Sequence, residues 1–340
     1  MSLRLFCENL LAAGLLRGVP LLLAAMGELI SERAGVLCLG AEGTMILGAL
    51  AGYAVTLQTG SPWLGLLAGG LAGALCGLLH SLIVVGLRAD QVIAGLGLTF
   101  VGSGLASVLG APIVESRQIA AQLPQVSLPS LSGVPGLGPL LAGHSIVLEL
   151  ALLVWLSTAK LFGRTRLGLA LFSVGENPGA ADAMGLSVGG LRTLAVTLGS
   201  ALFGLAGASL SLAVSPGWVD GLTAGQGYIA LVLVIFGRWR PSQVAVGALL
   251  FGVIRRLPLD LQGVRLPEVI EHSPLRGPGG TYLLDMLPYL LTVAVLALQT
   301  ARRRLPGQRR SAWQALQDRD APSALGRPYQ RGARHERGSG

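Results

Sequence analysis

The sequence predicts an all-α protein, a polytopic bundle of transmembrane helices with about nine spans, the apolar runs allowing eight to ten. Two observations carry this. Hydrophobic residues make up 52% of the 340 residues and charged ones only 12%, about half the charged share of an ordinary soluble domain; mean hydropathy is +0.65. A water-soluble fold needs more charge to cover its surface, so the solvent of much of this chain is hydrocarbon. The second observation is where the charge lies. From Arg302 onward ten Arg face Asp318, Asp320 and Glu336, whereas the remaining body holds 15 basic against 14 acidic residues. The net charge of +8 therefore belongs to a tail, 301–340, rich in Arg, Gly and Pro and expected to lie without fixed structure against one membrane face. With only Trp313 and Tyr329 as aromatics, that tail does not read as a nucleic-acid site.

The first span is Leu10–Ile30, retained because Arg17 interrupts it and no small-residue cleavage site follows. Ala34–Leu87 carries Glu42 as its only charge and divides into two helices at the Gly60-Ser61-Pro62 turn. Gln91–Val114 is the fourth span, and Glu115–Gly143, rich in Pro, Ser and Gly, is an extramembrane loop. Ser145–Leu161 is the fifth. Lys160–Arg192 is polar, with a loop at about 163–190 that contains a short helix over Pro178–Met184, opened by Pro and closed by Gly185. Thr193–Val219 is the sixth span. Gly221–Gly237 and Pro241–Ile254 are short and interrupted by Gly and Pro, as in transport proteins with unwound helices; two ordinary shortened spans are the alternative. Leu283–Gln299 closes a membrane domain of about residues 1–300. Lys and Arg favour the cytoplasm: with the tail inside, the inner loops hold eight further basic residues and the outer set six.

Within the bilayer, Gly65, Gly69, Gly73 and Gly77 recur every fourth residue and line one helix face, a pattern for close helix packing. Glu28, Glu42 and Glu149 are charges within spans and so mark either structural pairing or function. Glu42, between Gly40 and Gly43, is a candidate for the translocation pathway. So are Trp218, Gln226 and Tyr228: the glycines around Gln226 and Tyr228 weaken helix, and an aromatic face with an amide suits a polar solute.

Nucleotide chemistry is absent from the residues. No Gly-x-x-x-x-Gly-Lys-Ser/Thr occurs, and Lys160 is the only lysine, so the chain has no phosphate-cradling loop of that kind. Cys7, Cys38 and Cys76 form no Cys-x-x-Cys, and His80, His144, His272 and His335 are scattered, so no metal site is expected. Gly185-Leu186-Ser187-Val188-Gly189 fits a nucleophile elbow in letters, but that turn requires a preceding buried strand and here lies in a polar loop before a membrane helix.

Three stretches carry a family resemblance. Glu32-Arg33-Ala34-Gly35-Val36-Leu37-Cys38-Leu39-Gly40-Ala41-Glu42-Gly43 resembles the E-R-x-G-V-x-N-x-G-x-E-G signature of permease subunits in ABC importers of the simple-sugar, nucleoside and branched-chain amino-acid group. Arg166-Leu167-Gly168 through Val174-Gly175-Glu176-Asn177-Pro178-Gly179-Ala180-Ala181-Asp182-Ala183-Met184-Gly185 resembles its cytoplasmic loop. Gly225-Gln226-Gly227-Tyr228-Ile229-Ala230-Leu231 through Ile235-Phe236-Gly237-Arg238-Trp239 is similar to a third segment. Cys38 departs from the usual Asn, and Phe172 stands where a basic residue is common.

The resemblance implies a permease subunit of an ABC importer, not an enzyme, in the inner (plasma) membrane of a prokaryote. It implies a simple sugar or nucleoside as solute, with a branched-chain amino acid as an alternative; an ion-coupled secondary transporter is the rival of another class. The implied partners are ABC ATPase subunits that hold ATP and Mg, a second permease subunit and an extracytoplasmic solute-binding protein. No cofactor is expected in this chain. Gly175, Glu176, Asn177, Pro178, Ala180, Asp182 and Gly185 become the coupling-loop residues that contact the ATPase.

Overall fold

The computed structural model describes residues 3–116, 118–126, 144–263 and 321–330, together with Met286 and Leu290. The last expected span, Leu283–Gln299, and most of the 115–143 loop lie outside the described residues.

Helix α1 (Leu3–Arg33) is central. Its residues from Val19 to Met26, Pro20 included, are buried, and Leu29 with them, as expected of a helix apolar on all sides in the middle of a bundle. α2 (Ala41–Thr59) ends at Gly60, φ +70°, and α3 (Pro62–Ser81) begins with Ser61 accepting from the Leu64 N–H and Pro62 in its first turn. The turn expected at Gly60-Ser61-Pro62 is therefore built from a left-handed C-cap followed by a serine N-cap. A π-helical stretch, Leu82–Gly86, extends α3. α4 (Gln91–Ser116) starts at Asp90, whose Oδ1 accepts from the Val92 and Ile93 N–H groups at 2.9 Å each. Beyond it Gln125–Val126 (β1) and His144–Ser145 (β2) form a two-residue antiparallel pair, Gln125 opposite Ser145.

Then follow α5 (Val147–Arg164), α6 (Arg166–Glu176), α7 (Pro178–Ala183), α8 (Val188–Ser209, continued by π-helical Leu210–Val214), α9 (Gln226–Phe236) and α10 (Pro241–Gly263). α3 packs on α8 and α2, α2 on α8, and α1 on α10, α8 and α9. α4 packs chiefly on α2 and presents exposed apolar side chains on its other side, Ile93, Phe100, Val101 and Val108 among them. In a bundle whose solvent is lipid such a face carries no cost.

The all-α membrane bundle stands, and the described residues do not confirm the count of nine spans. Among the described residues four helices are long and apolar enough to cross a bilayer: Leu10–Arg33, Pro62–Gly86, Gln91–Ser116 and Val188–Val214. α9 has 11 residues, a rise of about 16 Å against a hydrocarbon core of about 30 Å. An apolar run in sequence does not show where a helix stops inside it.

Candidate translocation and coupling sites

Between α8 and α9 the chain is not helical. Gly217, Gly221, Ala224 and Gly225 take positive φ, and Ala224 is a non-glycine at +46°, a conformation that costs about 1 to 3 kcal/mol and needs surrounding support. The segment runs beside α4: the Trp218 indole packs against Gly110, and Asp220 Oδ1 accepts from the Ser107 hydroxyl at 2.7 Å. A helix that starts within the bundle exposes N–H groups with no partner one turn back. Glu42 of α2 supplies one. Its Oε1 accepts from the Thr223 hydroxyl (2.6 Å) and the Gly225 N–H (2.8 Å), and its Oε2 from the Gly227 N–H (2.7 Å). A carboxylate at this position also faces the positive end of the helix dipole. Gly227 is required by the approach, because a Cβ there would collide with the Glu42 backbone.

The four pathway candidates thus have different surroundings. Glu42 is buried and spends both oxygens on the break and the start of α9. Trp218 is buried against α4, and Gln226, the first residue of α9, is buried too. Tyr228 is 37% exposed; two residues further on, it points to the other side of the helix from Gln226. The structure does not bring Gln226 and Tyr228 onto one face. With Asp220, Gly221 and Ala224 also exposed, Tyr228 belongs to an uncovered strip along the break.

The glycine face of α3 is a contact surface. Gly73 lies against the Ser200 carbonyl and Gly204 of α8, Gly77 against Ser200, Gly69 against Ala208 and the Gly48 carbonyl, and Gly65 against Thr56 and Gly52 of α2.

A third site joins the C-terminal ends of α1 and α9 to the start of α10. Arg33, 1% exposed, donates from Nη2 to the Trp239 carbonyl at 2.6 Å, and the Trp239 indole N–H donates to Glu32 Oε2. The tie holds a turn in which Arg238 and Trp239 both have positive φ. The Arg33 guanidinium lies 5.5 Å from the centre of the Phe172 ring, a cation–π distance, so the unusual Phe at this position has a partner. Glu32, Arg33, Thr223 and Trp239 were not singled out from the sequence, although the first two and the last stand inside quoted motifs. Glu28, by contrast, accepts from the Cys38 backbone N–H at 3.1 Å, and Glu149 pairs with His144 at 2.5 Å. Ser187 of the Gly-x-Ser-x-Gly run caps α8, its Oγ accepting from the Gly190 N–H.

The polar loop is built as its residues dictate. Asn177 caps α7, Oδ1 accepting from the Ala180 N–H at 3.0 Å; Pro178 occupies the first turn, and Gly185 follows with φ +84°. Ala180, Ala183 and Met184, the last 83% exposed, form an uncovered outer side, while Pro178 is buried and Ala181 packs in a cluster with Val174 and Val188. Gly175 packs on the Arg33 carbonyl. Within the tail, where composition gave no expectation of structure, residues 321–330 pack here, and Glu176 accepts from Ser323.

Residues 10–296 match the family described as the branched-chain amino acid transport system permease component. The chain belongs to this permease family. A putative glucose ABC transporter permease of Haloferax volcanii is 40% identical over 309 residues, 87% of this chain and 93% of its own. A nucleoside ABC transporter permease of Lactococcus lactis is 34% identical over 86% of this chain and 92% of its own. A guanosine ABC transporter permease of Bacillus subtilis is 32% identical over 95% of this chain and 96% of its own. No solved structure matches significantly. The three quoted motifs of this permease are the three parts that the fold brings together: Glu42 meets Gly225 and Gly227, Glu32 and Arg33 meet Trp239, and Gly175 meets Arg33. As a permease component it is a transporter part and a multi-pass membrane protein.

Proposed function

We propose that this permease is the membrane-spanning subunit of an ABC importer for a simple sugar or nucleoside in the inner membrane of a prokaryote. ATP and Mg are held by soluble ATPase subunits, a second permease copy or paralogue completes the pathway, and an extracytoplasmic binding protein delivers solute. The observation that carries the reading is α7: a capped helix outside the membrane helices, its inner side seated on the bundle and its outer side, Ala180, Ala183 and Met184, uncovered. A soluble partner that pushes on such a helix moves α6 and, through Gly175 and Arg33, the α1–α9 junction. The names of the relatives support a sugar or nucleoside as solute.

The pathway in this reading follows the uncovered strip of the α8–α9 break, with Asp220 and Tyr228 facing the solute and Glu42 and Gln226 shaping the backbone behind them. Non-helical backbone at membrane depth is tolerated where it lines a wet cavity.

The test is purification with the neighbouring gene products and uptake of labelled glucose and labelled guanosine into vesicles. A co-purifying ATPase and ATP-dependent uptake are expected. Replacing Glu176 and Asp182 together by Lys is expected to remove the ATPase while the protein stays inserted, because only surface charge changes. Uptake driven by an ion gradient without any ATPase sinks the reading.

A further inference from the structure

The docked tail segment has attachments to three separately placed elements. On α6, the Ser323 hydroxyl donates to Glu176 Oε2 at 2.9 Å with the Ser323 N–H at 3.3 Å, and the Ala324 N–H donates to the Gly175 carbonyl at 2.9 Å. On the α1–α2 turn, the Gly326 N–H donates to the Gly35 carbonyl at 3.3 Å. On α8, Arg192 Nη1 donates to the Arg327 carbonyl at 2.9 Å, and Tyr329 packs on the apolar cluster of Val174, Ala181 and Val188, which joins α6, α7 and α8. Gly35, φ +86°, sits where all of these converge: a Cβ there would meet Arg192 Nη2, the Ala324 carbonyl and the Gly175 Cα.

Most of these bonds use main-chain atoms, so a segment of unremarkable composition can make them, and Pro322 and Pro328 reduce the freedom it loses on docking. The segment lies on the inner side of the α6–α7 unit and leaves Ala180, Ala183 and Met184 uncovered. Its position is that of a fastener and not of a cover.

We propose that residues 321–330 are a strap that fastens the α6–α7 unit to the α1–α2 turn and to α8, so that displacement of α7 is carried into the membrane helices. The strap residues are positioning residues, and their mechanical role rests on the reading of α7 as the ATPase contact. The strap stays docked throughout the transport cycle. Without it α7 still binds the ATPase through its uncovered side, but part of the motion is lost in the α6–α7 hinge.

The experiment compares the complex carrying the full chain with two truncations, after Gln330 and after Asp320, in vesicles supplied with labelled glucose and labelled guanosine. Truncation after Gln330 is expected to behave as the full chain. Truncation after Asp320 is expected to retain the ATPase and its ATP hydrolysis while ATP consumed per solute imported rises at least fivefold; a change confined to complex yield is what a merely structural tail produces, and an unchanged ratio overturns the proposal. Faster uptake at an unchanged ratio, the mark of an inhibitory tail, also overturns it. If the truncated protein fails to assemble, Ser323→Ala with Tyr329→Ala takes its place with the same expectation. A second readout needs no solute. Gly189→Cys and Arg327→Cys lie beside the bond from Arg192 to the Arg327 carbonyl and leave every strap bond named above in place; bridged by a short bifunctional thiol reagent, they are expected to link with equal yield in the nucleotide-free, ATP-bound and vanadate-trapped complexes, and loss of the link in any one state refutes a permanent strap. Absence of an ATPase from the intact complex counts against the importer reading instead, and the bridging yield in the isolated permease still reports whether the strap is docked.

Discussion

At the α3–α8 contact glycines let two unbroken helices touch backbone to backbone, whereas at the α9–α2 contact glycines let a broken chain end on a carboxylate. In the first, Gly69, Gly73 and Gly77 only remove bulk so that dispersion contacts form over the whole seam. In the second, the break leaves N–H groups that lipid cannot satisfy, and Glu42 from another helix accepts from Gly225 and Gly227. The difference teaches where deformability resides. A seam of small residues is stiff and insensitive to charge, whereas a capped break is held by a few polar bonds around one side chain and is the more easily deformed of the two.

The comparison breaks most sharply at Glu42. Glu42→Ala removes the acceptor of three donors, and with charged hydrogen bonds worth roughly 1.5 to 3 kcal/mol each and not additive, a loss of about 4 kcal/mol is expected. Thermal unfolding of the detergent-solubilised protein followed by tryptophan fluorescence measures it, with Glu42→Gln recovering part because its amide oxygen still accepts. A loss no larger than that of a seam variant contradicts the distinction drawn above.

Next is Gly73→Ala. The added methyl meets the Ser200 carbonyl and the Gly204 backbone, which cannot swing away as a side chain would, and overpacking of this kind costs about 1 to 3 kcal/mol. The same unfolding assay reads it, and the effect is expected to be independent of pH and salt, as a steric effect should be.

The smallest effect is expected at Gly104 of α4, where nothing lies within 4 Å of an added Cβ. Gly104→Ala should be neutral or stabilise by about 0.5 to 1 kcal/mol through better helix propensity. Destabilisation of the assembled complex, with the isolated subunit unaffected, would place Gly104 at a subunit contact and sharpen the comparison by adding a second seam.

Much of the fold was legible from local chemistry. The Gly60-Ser61-Pro62 turn, the start of α4 at Gln91 and the short helix between Asn177 and Gly185 follow from caps, proline and glycine, because such signals act between neighbours in the chain. The four-residue glycine spacing on α3 likewise announced a packing face. Helix ends inside apolar runs were legible only in part: the glycines of Gly221–Gly237 announced a weakened helix, but only the packed neighbours fix the start of α9 at Gln226.

What the sequence by itself determined is the class of the molecule, its membrane solvent, its helices' punctuation and the three motifs of its family, all of which depend on composition or on residues a few positions apart. Only the tertiary structure decided that Glu42 caps a helix at Gly227, 185 residues away in the chain, that Glu32 and Arg33 hold Trp239, and that 321–330 bind beside Gly35 and Gly175. No local propensity encodes these pairings, because a buried carboxylate or guanidinium takes its partner from whichever backbone the packed helices bring within reach.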